Sequence, residues 1–257
     1  PFAVPAAAGA DFHQVPPDLP EWDDVERLRY ETALLGFYVT GNPTDQYAVL
    51  LHTFQLETIA EVAAMTDRSG TRVGGVIGKL EMKRSKQDGK PWTIMTIEGR
   101  DCEVECMVFS DRYAECGAAL VPDQVVLVDG IVDRRGGDSA KLVVERVLPI
   151  AEAPSLLSAE VHVRLRETEV DEGVLDSLRQ HCSQHAGTCP ILLCTICEAG
   201  EIAVIQPDGV RIANTPEFRA GLHRLLGADC LLQKAVQERP KPRDRRRPEF
   251  VPNQPAQ

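Results

Sequence analysis

The sequence predicts an α+β chain of several domains: a short helical segment, a five-stranded β-barrel and a small mixed α/β domain. Three observations predict it. Between Arg72 and Ile150, five short runs of strand-forming residues are separated by turn signals, with one helix after the third run. That order is the order of a five-stranded Greek-key barrel. Before it, Val25, Leu28, Leu34 and Leu35 recur near one face of a helical stretch from Trp22 to Gly36. After it, strand-like runs alternate with two capped helices over residues 159–237.

In chain order, residues 1–20 hold five prolines around an Ala/Gly run and read as a flexible linker. Residues 21–66 form the helical segment, with Asp23, Asp24 and Glu26 early in its first helix, where negative charge suits the helix dipole. Asn42-Pro43 breaks the chain, and Thr44 is placed to cap a second short helix from Asp45 to Phe54, with Tyr47, Leu50 and Leu51 as its apolar side. Thr58 to Met65 does not decide between helix and loop.

Residues 70–151 are read as an OB-fold. Its strands are expected at 76–84, 92–98, 103–109, 124–130 and 141–147. Asp88-Gly89 is a strong hairpin signal between the first two. Ala151 to Ser158, with Pro154, reads as a connector. In the third unit Val161–Leu165 alternates as a strand, and Asp171–His185 is amphipathic, with Val174, Leu175 and Leu178 in register. Runs at 190–197, 201–205 and 210–213 are further strands. Thr215-Pro216-Glu217 supplies a cap, an N1 proline and an early acid for a helix that stops at Gly227. Residues 230–236 form a last strand. Residues 238–257 are read as a disordered basic tail.

The bulk numbers restrict function. The chain has 257 residues, 43% hydrophobic content and a net charge of −11, which disfavours nucleic acid over the whole surface but leaves room for a local basic stripe. At 5% aromatic content, stacking platforms are few. No signal peptide and no apolar run of about 18 residues is found, which points to a cytoplasmic protein without a membrane partner. The start at Pro1-Phe2, without Met, suggests a fragment or a processed product.

Two-metal phosphoryl-transfer chemistry needs paired carboxylates that hold the two ions, and no convincing pair is found. Asp23-Asp24 and Asp171-Glu172 sit at helix starts, where a structural role is the commoner one. Cys182, Cys189, Cys194 and Cys197 raise the question of zinc, because tight turns between cysteines can aim two thiolates at one metal. Cys194 and Cys197, however, lie three apart on a strand and point to opposite faces, so buried thiols are the simpler reading. His162, His181 and His185 read as surface or satisfied residues.

Binding is better supported. Lys79, Lys83, Arg84, Lys86 and Lys90 surround the first hairpin, Trp92 opens the second strand, and Phe109 ends the third with Arg112 after it. Arg134 and Arg135 precede the fifth strand. Single-stranded nucleic acid needs such cations for its phosphates and flat rings for its bases. A solvated hairpin with a packed tryptophan is the competing reading.

One stretch resembles a known family. Arg29-Tyr30-Glu31-Thr32-Ala33-Leu34-Leu35-Gly36-Phe37-Tyr38-Val39-Thr40-Gly41-Asn42-Pro43 is similar to the segment before the barrel of the bacterial DNA polymerase III alpha subunit, with Asn42 where that family usually has histidine. Asp101–Phe109 resembles its third barrel strand, and Val161–Val236 its C-terminal domain. The resemblance implies the C-terminal portion of a DNA-directed DNA polymerase, a nucleotidyltransferase. Its catalytic domain and Mg2+ would lie upstream, with no cofactor in this stretch. It also implies single-stranded template DNA on the barrel and the clamp-loader tau subunit on the C-terminal domain. Phe2 would be the remnant of a sliding-clamp motif, able to bind the clamp only if the rest of that motif precedes it. The competing readings are a standalone single-strand-binding protein and an RNA-modifying enzyme with an accessory α/β domain.

Overall fold

The computed structural model describes residues 21–35, 38–86, 88–135, 139–197 and 200–242. The chain divides into two units, residues 1–41 and 42–257. In the first, α1 (Asp24–Leu35) opens with Asp23 Oδ1 accepting from the Glu26 amide at 2.8 Å. The turn after α1 is tied back by Glu31, whose carboxylate accepts from the Thr40 hydroxyl at 2.7 Å and from the Val39 and Thr40 amides at 2.7 and 3.0 Å. These bonds, the Thr40 hydroxyl foremost, hold the Glu31 carboxyl below its ordinary value. Leu28 is buried, but Leu34 and Leu35 are 79% and 55% exposed, so the expected shared face fails. Leu34 lies roughly 240° round the helix from Leu28, and Leu35 is its last residue. The linker, Phe2, Gly36 and Phe37 lie outside the described residues.

In the second unit, Thr44 does not cap a helix. Its amide and hydroxyl both bond Asn42 Oδ1, at 2.9 and 2.6 Å, and a 3-10 turn at 45–47 precedes α2 (Ala48–Phe54). An Asn side chain mimicking a backbone turn accounts for this. The undecided stretch holds α3 (Ile59–Val62), started by a capping box between Thr58 and Glu61.

The barrel is closed in the order β1 (Gly70–Arg84), β2 (Pro91–Glu98), β3 (Glu103–Val108), β5 (Lys141–Pro149), β4 (Val125–Asp133). The expected fold class holds. β1 begins six residues before its expected start at Val76, because Gly70 to Val76 pairs with β4 before the strand bends to β2. Glycines at 70, 74, 75 and 78 hide this part of the strand from propensity reading. A register shift between Ile77 and Leu80 marks the bend. β4 is apolar in nearly every position because both its faces are covered. Val126 and Val128 face the barrel core with Ile77, Met95, Ile97 and Cys106. Val125 and Leu127 face outward against Leu51 and Phe54 of α2. α4 (Ser110–Cys116) follows β3 and packs Tyr113 and Cys116 on the barrel core.

Residues 151–158, expected as a connector, are mostly helical, with Ala153, Pro154 and Leu157 buried. α5 (Ala153–Leu157) has Pro154 in its first turn, and Ala153 and Leu157 share a core with α2, with the outer face of β4 and with Ala235. Beyond it lies a second sheet, β10 (Leu231–Ala235), β6 (Ser158–Arg166), β7 (Ala186–Ile196), β8 (Ile202–Ile205), with β9 (Arg211–Ile212) also on β7. β6 and β7 run parallel, joined through α6 (Glu172–Gln184). α6 and α7 (Pro216–Leu226) supply Leu178, Cys182, Phe218 and Leu222 to the core against Val161, Val163 and Ile191. Asp171 and Thr215 cap these helices, and Gly227 ends α7 at φ +86°, a left-handed value suited to glycine. Leu175, expected on the buried face of α6, is 44% exposed, and Cys182, one turn beyond Leu178, is buried on that face.

Part of the tail is ordered against the barrel. Arg239 pairs with Glu57 and donates to the Gly70 carbonyl at 3.1 Å, and a Cβ on Gly70 would collide with the Pro240 carbonyl. Residues 243–257 lie outside the described residues. A buried polar joint completes this contact. Arg72, 3% exposed, donates from Nε to Asp129 at 2.6 Å and from Nη1 to the carbonyls of Val236 at 3.1 Å and Phe54 at 3.5 Å. Arg146 holds the other oxygen of Asp129. One buried guanidinium thus links α2, the barrel and the exit of β10.

Candidate nucleic-acid interface

Period-two alternation decides which side chains of β2 and β3 leave the core. Thr93, Met95 and Ile97 are buried in β2, and Val104, Cys106 and Val108 in β3. The alternate positions therefore form the outer face. Register places Lys83 beside Trp92, then Glu81 beside Ile94 beside Met107 beside Val143, then Thr96 beside Glu105 beside Lys141. The result is a half-buried apolar strip with a lysine-bearing rim on each side.

At the hairpin end, Trp92 and Phe109 stack with ring centroids 6.0 Å apart and planes 23° apart. Lys83 Nζ lies 5.7 Å from the Trp92 ring centroid, within cation–π range. A groove of about 600 Å3 opens beside the pair, lined from the hairpin by Ser85, Asp88 and Lys90 and from the start of α4 by Ser110, Asp111 and Ala114. A pocket of that size is in the range that holds small ligands.

The hairpin cations are loosely paired. Lys79 and Lys83 share Glu81 at 2.7 and 3.5 Å, Lys90 pairs with Asp88 at 3.3 Å, and Arg84 donates to the Gly89 carbonyl at 3.4 Å. Lys86 is exposed and takes part in no ion pair among the described residues. Bonding and attraction from Lys79 hold the Glu81 carboxyl below its ordinary value, with Lys83 adding to it. Lys79 is 74% exposed and Lys83 43%. Such exposed pairs are worth about 0–1 kcal/mol, so exchanging a carboxylate for a phosphate costs little.

Three expected site residues sit apart from this face. Arg112, 13% exposed, bridges Glu115 at 2.5 Å and Glu145 at 2.7 Å beneath α4, so its charge is already matched. Arg134 donates to the carbonyls of Met65 (2.8 Å) and Ala63, closing the end of α3. Arg135 is exposed but doubly bonded to Asp133, at 2.7 and 3.1 Å. The Glu145 carboxylate on Arg112 and the Met65 and Ala63 carbonyls on Arg134 come from 33 to 71 residues away, out of reach of a local pattern, whereas Asp133 lies two residues from Arg135. Sequence reading missed Ile94, Met107, Val143 and Lys141, although the parity of β2 and β3 carried the signal. At the far end, burial raises the Glu98 carboxyl above its ordinary value, and repulsion from Glu103 and Asp123 adds to it.

Cys182 and Cys189 lie in the core of the second sheet, where burial pushes their thiols up. Cys194 is half-buried, its Sγ 3.5 Å from His162 Nδ1, while His162 Nε2 meets Glu160 at 2.9 Å. Among the described residues no three His, Cys, Asp or Glu side chains converge on a metal position. No described helix is long and apolar enough to cross a membrane.

A closed five-stranded barrel with a stacked aromatic pair on its β2–β3 face defines the class, and residues 72–150 match the family described as OB-fold nucleic acid binding domain. The particular relatives are DNA polymerase subunits by name. DNA polymerase III subunit alpha of Saccharopolyspora erythraea is 27% identical over 223 residues, covering 84% of this chain and 18% of that protein. The Pseudomonas aeruginosa protein of the same name is 30% identical over 171 residues, covering 65% of this chain and 14% of that one. This chain is homologous to the DNA polymerase III alpha subunits and spans less than a fifth of the length of the curated relatives described here. Among solved structures, the mitochondrial single-stranded DNA binding protein Rim1 of S. cerevisiae aligns at 15% identity and a TM-score of 0.27, over 33% of this chain and 95% of that one, which carries no functional argument.

Proposed function

We propose that this chain is the part of a replicative DNA polymerase alpha subunit that holds single-stranded template DNA on its barrel, in the cytoplasm and within a replisome. The observation that carries the reading is the stacked Trp92–Phe109 pair with Lys83 over it, beside a groove that Lys90 of the same hairpin helps to line. Bases stack on the two rings and continue along Ile94, Met107 and Val143. Phosphates exchange for the Glu81 carboxylate that Lys79 and Lys83 share, and Arg84 and Lys86 extend the track. Nucleotidyl transfer is assigned to other parts of the polymerase.

The C-terminal sheet supports a second part of the reading. Its edge strand β8 leaves Ile202, Val204 and Ile205 more than half exposed, apolar surface of the kind a protein partner covers. Through the family resemblance we assign that partner as the clamp-loader tau subunit. The clamp contact at Phe2 is kept as a dependent proposal, since it needs the rest of its motif.

Titration of a thymidine oligonucleotide into the Trp22→Phe chain, with Trp92 as reporter, tests the barrel reading. Quenching is expected, with affinity that falls as salt rises by roughly 0.7 log units per log unit for each phosphate contacted. Replacing Lys83, Arg84 and Lys86 together by Ala should lower that slope by about 2. Trp92→Ala should weaken binding by about 1–3 kcal/mol per stacked base. No binding at low salt, or binding indifferent to the triple replacement, would sink the proposal.

A further inference from the structure

We propose that the groove between the first hairpin and α4 is a base-selective subsite that takes one guanine of the bound strand. This rests on the barrel reading above and deepens it.

The groove is lined by an aromatic pair and by polar side chains from the hairpin and from α4. Trp92 and Phe109 stack with any base and select none. The polar lining is Asp88, Lys90 and Ser85 from the hairpin and Ser110 and Asp111 from α4. Carboxylates repel phosphate, so a nucleotide enters base first, leaving its phosphate outside beside Lys83, Arg84 and Lys86. A carboxylate only accepts hydrogen bonds, and an ammonium only donates them. Guanine alone among the four bases offers two adjacent donors, N1–H and the N2 amino group, next to an acceptor, O6. A carboxylate fork with a lysine beside it is complementary to that edge. Thymine offers one N–H, and adenine and cytosine one amino group each beside an acceptor that a carboxylate repels.

Asp88 and Lys90 are already side by side, with Oδ2 to Nζ at 3.3 Å. The Ser85 hydroxyl, and then the Lys90 groups, hold the Asp88 carboxyl below its ordinary value, so it stays an acceptor at neutral pH. Asp111 has a competing structural role as an acid in the first turn of α4. That role favours negative charge but is indifferent to which base is bound.

Three nonamers decide the matter: all thymidine, and the same strand with one central guanine or one central inosine. Inosine lacks only the N2 amino group. The guanine strand should bind at least about five-fold more tightly than the inosine strand, the low end for a bidentate base contact. Asp88→Asn and Asp111→Asn should each erase that difference, while the all-thymidine strand binds at least as tightly because a carboxylate that repels phosphate is gone. Circular dichroism shows whether each variant folds, and if Asp111→Asn does not, Asp88→Asn carries the test. Equal affinity for guanine and inosine, or a preference that survives both substitutions, overturns base selection while the barrel reading stands. Failure of all three strands to bind overturns both.

Discussion

Replacing Arg72 by Met should cost far more stability than replacing Arg146, the other arginine on Asp129 at the joint between the barrel and the second sheet. Arg72 is 3% exposed and makes two well-formed bonds, to Asp129 at 2.6 Å and to the Val236 carbonyl at 3.1 Å; the 3.5 Å contact with Phe54 is marginal. Hydrogen bonds from a charged donor contribute about 1.5–3 kcal/mol each, so their loss amounts to about 3–6 kcal/mol. Arg146 keeps one oxygen of Asp129 neutralised, which places the expected cost in the lower half, about 3–4 kcal/mol. Arg146→Ala, whose side chain is 46% exposed, should cost under about 1 kcal/mol. Replacing Arg72 and Asp129 together, by Met and Leu, removes the stranded charge and should recover at least about 1 kcal/mol of the single-variant loss. Urea denaturation followed by Trp92 fluorescence measures these differences. Amide exchange at Val236, whose N–H bonds the Leu157 carbonyl at 2.8 Å, reports whether the exit of β10 loosens first. An Arg72→Met chain within about 0.5 kcal/mol of wild type would refute the argument, since that is the range of a surface substitution.

Two further changes act through packing and charge. An alanine in place of glycine usually stabilises a helix interior by about 1 kcal/mol, but at Gly221 of α7 its Cβ would lie 2.5 Å from His181 Nε2 and overlap that ring. His181 stacks on Phe218 at 5.2 Å and bonds its carbonyl at 2.9 Å, so it cannot yield freely, and Gly221→Ala should destabilise by about 1–3 kcal/mol. Thermal denaturation checks this, with His181→Ala expected to relieve part of the loss in the Gly221→Ala chain. At Glu98 the folded-state pKa lies above the unfolded value, so the ionised carboxylate opposes folding at neutral pH, and that opposition fades as pH falls through the raised pKa. Glu98→Gln should therefore raise the melting temperature at pH 7 and lose its advantage in acid. An equal shift at both pH values would refute the assignment.

Much of the fold was legible because its signals are local. Asp88-Gly89 marks the hairpin, Thr215-Pro216 starts α7, Gly227 stops it, and strict alternation separates Met95 and Ile97 from Trp92 and Ile94. The same parity already held the apolar strip of the binding face. What misled was exposure that depends on distant neighbours. Leu175 has the spacing of a core residue, yet the fold leaves it 44% exposed. Residues 151–158 look like a linker because Pro154 resembles a breaker, whereas in the first turn of α5 its missing N–H costs nothing.

By itself the sequence determined a five-stranded barrel with cations around its first hairpin and aromatic residues at the edge of its face, since strand period and turn chemistry are properties of neighbouring residues. Only the tertiary structure decided which of those cations remain available. Arg112 and Arg134 are consumed by carboxylates and carbonyls brought from up to 71 residues away, while Lys83 is set over Trp92. The same long-range closure buried Arg72 and joined the two sheets. A charge's role depends on the partners that folding delivers to it, and those partners are not encoded within reach of its own segment.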